Sequence, residues 1–256
     1  MLNSKFILPI TCLLLVFSSC DSSTKNSNLK HIENTPAAEG FDWENDPLKI
    51  TYTEDFSSPL SIDTVEIISN HLYSYFHNMN IADSASMDKY IAYFPDYMRD
   101  DTSSMNFYRE ATIRWKKNGL LQTVEFCELD YISNWKRHFD LQIAHVSCDV
   151  EFFQHFQPHY EGSPEGMRFT LTQRFGSDAV KYTEEYRQNS SGDSVLVRNW
   201  KAQAESGVFV LYDDTDKEHP FRLLLQDVVE VGGPHRNNIP MATLLSLLRD
   251  ERERVK

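Results

Sequence analysis

Residues 123–132 read TVEFCELDYI. Val124 and Phe126 fall to one side of an extended chain, and Cys127, Leu129 and Tyr131 to the other. This two-residue alternation is the period of a strand, and it marks where the sequence changes character. Upstream the apolar residues recur every three or four positions. In 61–79, SIDTVEIISNHLYSYFHNM, Val65, Ile68, Leu72, Tyr75, Phe76 and Met79 share a helical face, and Ser61 or Asp63 can cap its start. In 84–98, SASMDKYIAYFPDYM, Met87, Ile91 and Phe94 repeat the pattern up to Pro95. In 103–119, Phe107, Ala111, Arg114 and Trp115 align, and Gly119 is a C-terminal stop. Ahead of these helices, LKITYTEDF can form a short strand.

Downstream the period stays near two. FDLQIAHVSCDVEFF (139–153) carries Val146, Cys148, Val150 and Phe152 on one face, and GMRFTLTQRFG (166–176) alternates cleanly enough to be expected as a strand. AVKYTEEYR and SVLVRNWKAQ flank QNSSGD, a hairpin connection with Gly192. Helices first and antiparallel strands after is an α+β order. The expectation is three N-terminal helices packed on a curved antiparallel sheet over 47–206. A C-terminal extension, 207–256, adds a hairpin of VFVLYDD and FRLLLQDVVEV and then a helix from Pro240 with an apolar face of Leu244, Leu245, Leu247 and Leu248.

The N-terminus has its own logic. Lys5 precedes an apolar run from Phe6 to Phe17, too short for the roughly 20 residues a membrane-spanning helix needs. It reads as a secretory signal over 1–19. Ser18 and Ser19 then precede Cys20, and the chain turns polar at once. This arrangement resembles the lipobox of bacterial lipoproteins, with Phe17 where Leu is usual. The resemblance implies acyl chains on Cys20 and a lipid-anchored protein of the bacterial cell envelope, periplasmic or surface-exposed. The alternative is an ordinary cleaved signal with a chance cysteine. Residues 20–46, rich in Ser, Asn, Thr and Lys, read as a tether, and a coil of that length spans about 28 Å.

Three helices followed by a curved sheet resembles the nuclear transport factor 2-like cone, which includes SnoaL-type enzymes. YIAYFPDYM is similar to the family's helix-ending turn, FYREATIRW to the helix that follows it, and the strands ending in NWKAQAE to domains appended to L,D-transpeptidase-related cell-wall proteins. In such cones the sheet curls round a pocket, used for catalysis, for binding, or not at all.

The net charge of −13 argues against nucleic acid, whose phosphates need clustered Lys and Arg. No phosphate-binding Gly loop, nucleophile elbow or CxxC is present, and no metal or other cofactor is expected. Glu151, His155, His159 and Glu161 are spaced without metal-ligand specificity and read as a wet strand-end loop. His145, Asp149 and Asp130 are the candidates for a SnoaL-type acid/base set, but strand parity turns His145 and Asp149 to solvent. Tyr75, Tyr93, Trp115 and Trp200 can line a pocket or simply fill a core. Trp135, beside Lys136 and Arg137, is a contact site for an anionic partner or a hairpin-tip residue that folds back.

Cys127 and Cys148 are left in an exported chain, where disulfides persist. A hairpin centred between Arg137 and His138 would set them opposite each other, and a bulge near Ile143–Ala144 would break that register. Two functions follow: a lipid-anchored envelope module binding a protein or glycan partner, or a small-molecule enzyme of the SnoaL type.

Overall fold

The computed structural model describes residues 48–99, 101–138, 141–188, 191–226, and 246, 247 and 249. The signal segment, Cys20, the tether and most of the final helix lie outside these residues. Ser246, Leu247 and Arg249 are helical, and Leu247 is fully buried.

The body is α+β with a curled, mixed sheet. Strand β1 (Lys49–Ser57) leads into four helices, α1 (Ile62–Ile81), α2 (Ser84–Ala92), the single-turn α3 (Asp96–Arg99) and α4 (Thr102–Lys117). Ser61 caps α1 by accepting from the Thr64 amide, and Asp83 and Asp101 cap α2 and α4 in the same way. Gly119 ends the run at φ +85°, where an added Cβ would meet the His159 ring at 2.9 Å. Then come β2 (Leu120–Ile132), β3 (Lys136–His138), β4 (Leu141–Phe156), α5 (Pro164–Phe175), β5 (Val180–Gln188), β6 (Ser194–Asp213) and β7 (Phe221–Leu225).

The sheet runs β1-β2-β4-β6-β5, with β3 added to β4 and β7 to β6. The expected all-antiparallel sheet is corrected by β1, which pairs β2 in parallel; a chain that crosses a helical layer between two strands can bring the second back in the same direction. The spine is the long pair β4 and β6, in register from Leu141↔Asp213 to Phe156↔Arg198. The boundary at 206/207 falls inside β6, so VFVLYDD is its second half and forms the hairpin with FRLLL.

Residues 166–175 are helical, not extended, and Gly176 is the C-cap. Pro164 occupies the first turn, a position it favours. Met167 and Leu171 are buried and Phe175 packs on the core, an i, i+4, i+8 series that a helix puts on one face and a strand does too. Phe169, which strand parity set with them, is 61% exposed.

Helices pack on one face of the sheet. Phe175 of α5 lies 5.8 Å from Phe152, Asn80 of α1 donates to the Val124 carbonyl and accepts from its amide, and His71 of α1 stacks on Phe221 of β7 at 4.1 Å. Two irregularities in β2 set its register. Glu125 and Asp130 are extra residues, so Cys127 faces Val150 and Cys148 faces Leu129. The cysteines are buried diagonal neighbours with no disulfide between them; the direct pairing is broken by register shifts, which fall in β2 and not near Ile143–Ala144. His145 is also corrected. It is buried, its Nε2 2.7 Å from the Gln226 side-chain oxygen, because the β4–β6 ladder at this end is covered on both faces. Gly207 makes the room: a Cβ there would sit 1.9 Å from that Gln226 oxygen. Among the described residues no helix is long and apolar enough to cross a membrane.

Candidate functional site

Two polar constellations are built by the sheet, one on each face. Opposite the helices, His155 is fully buried, which corrects its reading as part of a wet loop. Its Nδ1 donates to the Asn199 side-chain oxygen at 2.6 Å. That orientation of Asn199 is fixed because its amide nitrogen donates to Glu185 at 2.8 Å. Nε2 lies 2.8 Å from the Thr123 hydroxyl and 3.0 Å from Glu125 Oε1. Glu125 in turn accepts both Arg187 Nη1 at 2.8 Å and Nη2 at 3.0 Å, and Arg187 also donates to Glu185.

Glu125 is the bulge residue of β2, and bulges re-aim side chains. β2 and β5 are separated in the sheet by β4 and β6, so the bidentate Arg187–Glu125 pair is a clasp that closes the curl over His155. Burial pushes the Glu125 carboxyl up, but the hydrogen bonds and charges of His155 and Arg187 outweigh it and hold the group at about 2. Burial pushes His155 down from its ordinary value, and the Glu125 carboxylate opposes this. The pair has the composition of an acid/base set, but no part of the imidazole side chain is exposed.

The second constellation is open. On the helix face, Trp200 of β6 is buried and donates its Nε1–H to the Pro164 carbonyl at 2.7 Å. Tyr182 of β5, its cross-strand partner, lies against it at 5.1 Å, and Arg168 of α5 sits 5.4 Å over its ring. Farther along the same face of β5 come Glu184, opposite Arg198, and Tyr186, opposite Leu196. Tyr182 donates to Glu184 at 2.8 Å, and Arg198 lies 3.7 Å from that same carboxylate. Tyr182 is 42% and Tyr186 72% exposed. Behind this rim, Gln154 lies beside Trp200 on β4, buried, and its side-chain oxygen has no hydrogen-bond partner among the described residues.

The other candidates are dispersed. Tyr75 is buried and its hydroxyl meets that of Tyr90 at 3.1 Å. Tyr93 is half-buried, 3.1 Å from His71 Nδ1, and Trp115 packs half-buried at the core edge. Trp135 folds back, half-buried, 6.2 Å from Tyr212. Lys136 and Arg137 are tied into β3 by pairing with Ile143 and Gln142. Asp149 is half-buried opposite Glu205, and Asp130 accepts from Thr53 at 3.5 Å. No group of His, Cys, Asp and Glu able to hold a metal ion occurs among the described residues.

Of the aromatic candidates only Trp200 belongs to an open site. Arg168 went unread because its placement depends on α5 being a helix; Tyr182 and Tyr186 share one face of the strand AVKYTEEYR, a signal that alternation alone could have given. Set against protein-family models, curated proteins and solved structures, the chain matches none of them.

Proposed function

We propose that this chain is a lipid-anchored binding module of the bacterial cell envelope. Its body is a cone of the nuclear transport factor 2-like kind, and it binds through the corner formed by α5, β5 and β6. One observation carries the binding reading: Tyr182 and Tyr186 stand on one face of β5, 42% and 72% exposed, with Tyr182 against the buried Trp200 and the Glu184–Arg198 pair between them. The Glu184–Arg198 pair stands between the two rings, so this face offers two aromatic surfaces separated by a charge pair, a combination suited to contact with a partner. The anchor rests on Cys20 at the break between an apolar run and a polar segment. Placed on acyl chains, such a module is held at the membrane without spanning it.

Labelling with a fatty-acid analogue should mark the wild type and miss Cys20→Ala, which should leave the membrane fraction. Partner recovery from solubilised membranes should fall on Tyr182→Ala/Tyr186→Ala with the fold intact by circular dichroism. Label on Cys20→Ala removes the anchor, and undiminished recovery removes the corner.

The enzyme reading has one observation of its own, the His155–Glu125 contact. It requires the clasp to open. Turnover of a small metabolite that is lost in His155→Gln while the fold persists would select it over binding.

A further inference from the structure

We infer that the α5–β5–β6 corner takes a neutral, hydroxyl-rich polysaccharide strand of the β-1,4-linked glucose or N-acetylglucosamine type. This rests on the binding reading above and names its ligand class. Three features lead there. The first is shape. Tyr182 and Tyr186 stand on the same face of one strand, four residues apart, hence about 13 Å at about 3.3 Å per residue. A row along a strand fits a linear, stiff ligand better than a compact one. The second is chemistry. Pyranose rings with equatorial substituents present flat C–H faces that lie on aromatic rings, and diols that carboxylate and guanidinium edges bind in pairs. The corner alternates these groups: Tyr182, then Glu184 with Arg198, then Tyr186.

The third feature is charge. Arg168 and Arg198 are matched by Glu165 and Glu184 at 4.0 and 3.7 Å, so the corner is locally neutral on a chain of net charge −13. A polyanion meets repulsion from the rest of the molecule, and a neutral strand meets none. An extended peptide is the competing linear ligand. It would add to the outer edge of β5, which pairs only β6 among the described residues, and would draw its affinity from backbone hydrogen bonds.

The test is titration calorimetry on the full-length chain in a detergent that carries no sugar, with cellohexaose and chitohexaose as probes and heparin as the anionic control. Tryptophan fluorescence gives a second readout through Trp200. Saturable binding of a neutral hexamer is expected, weakened about fivefold by Tyr186→Ala, as for loss of one aromatic contact, and restored by Tyr186→Phe. Tyr186 is 72% exposed, so unchanged melting will show that the fold survives. Absence of binding to both hexamers, tighter binding of heparin, or affinity indifferent to Tyr182 and Tyr186 overturns the glycan assignment. If the hexamers fail while the double tyrosine variant still loses an envelope partner, the binding reading stands and the glycan falls. If neither responds, both fall.

Discussion

Glu125 shows how one inserted residue decides local electrostatics. It stands two residues from Thr123, which also contacts His155, and its carboxylate meets His155 and both Arg187 nitrogens, while the shift that follows it resets the register of the rest of β2. A charge pair so enclosed costs a great deal to break from one side, because the partner is left desolvated. Glu125→Gln should therefore destabilise the protein by about 3 kcal/mol at neutral pH, read by denaturant unfolding. The pH dependence has a definite sign. The folded carboxyl is held at about 2 against an ordinary 4.5, so its stabilisation is complete above 4.5 and is lost as pH falls toward 2. His155 acts in the same direction: a folded value depressed below 6.5 means that acid protonates the unfolded chain first. The gap between wild type and Glu125→Gln should be widest at pH 7 and close below pH 3; a gap that does not change with pH would show the clasp to be uncharged. Gln154 makes the opposite case. Its buried, unpartnered oxygen carries a desolvation penalty of about 1–3 kcal/mol. Gln154→Met should raise stability by about 1 kcal/mol or more; a loss would mean that the amide is satisfied in solution.

At the scale of elements, α5 separates what a sequence shows from what it hides. Leu171→Ala should cost about 2–5 kcal/mol, and Phe169→Ala less than about 0.5 kcal/mol, measured by chemical denaturation. A strand burying 167, 169, 171 and 175 together would make the two substitutions equally costly. The misreading has a physical cause. Met167, Leu171 and Phe175 are separated by four, a number that satisfies both the helical and the extended period, so only Phe169 and Pro164 distinguish the two. Helices α1, α2 and α4 were legible from residues aligned at spacings of three and four, and α1 also from its cap Ser61; on α4 the face was misjudged in part, since Phe107, aligned with Ala111, is 47% exposed. The strands β2, β4, β5 and β6 were legible from alternation. The register of β2 on β4 was not, since bulges at 125 and 130 leave no apolar signature, and with it went the cysteine pairing. The clasp was hidden for the same reason. Its members come from 123, 125, 155, 185, 187 and 199, and only the curl of the sheet brings β5 to β2. At the corner, Trp200 could be singled out as an aromatic, but its surroundings depended on α5.

For the whole molecule the decisive feature is the length of β6. Residues 194–202 pair β5 and 208–212 pair β7, while β4 runs along its other edge from 198 to 213. The two halves of the body therefore share one continuous pair of strands and are not separate units. The family resemblance in the sequence ends near residue 206, but Gly207 lies within the ladder opposite Ser147, and Val208, Phe209, Val210 and Leu211 beyond it are all nearly fully buried. A chain ending at 206 would leave the β6 edge of β4 unpaired over residues 141–147, with only β3 and the end of β2 on the opposite edge, and would strip Ile143, Ala144, His145 and Val146 of the strand beside them on that side. It would also remove Leu223 and Leu224 from the core. Exposed apolar residues on an unpaired edge favour aggregation. The truncated protein should accumulate insoluble or, if soluble, should lack a cooperative thermal transition and be cut rapidly by trypsin across 141–206. A soluble, cooperatively melting 1–206 fragment would instead mean that the body up to Ser206 stands alone and that β6 beyond it is an appendage. That outcome would move the binding corner onto an independent domain, whereas loss of folding ties the corner at Trp200 to the far end of the same strand.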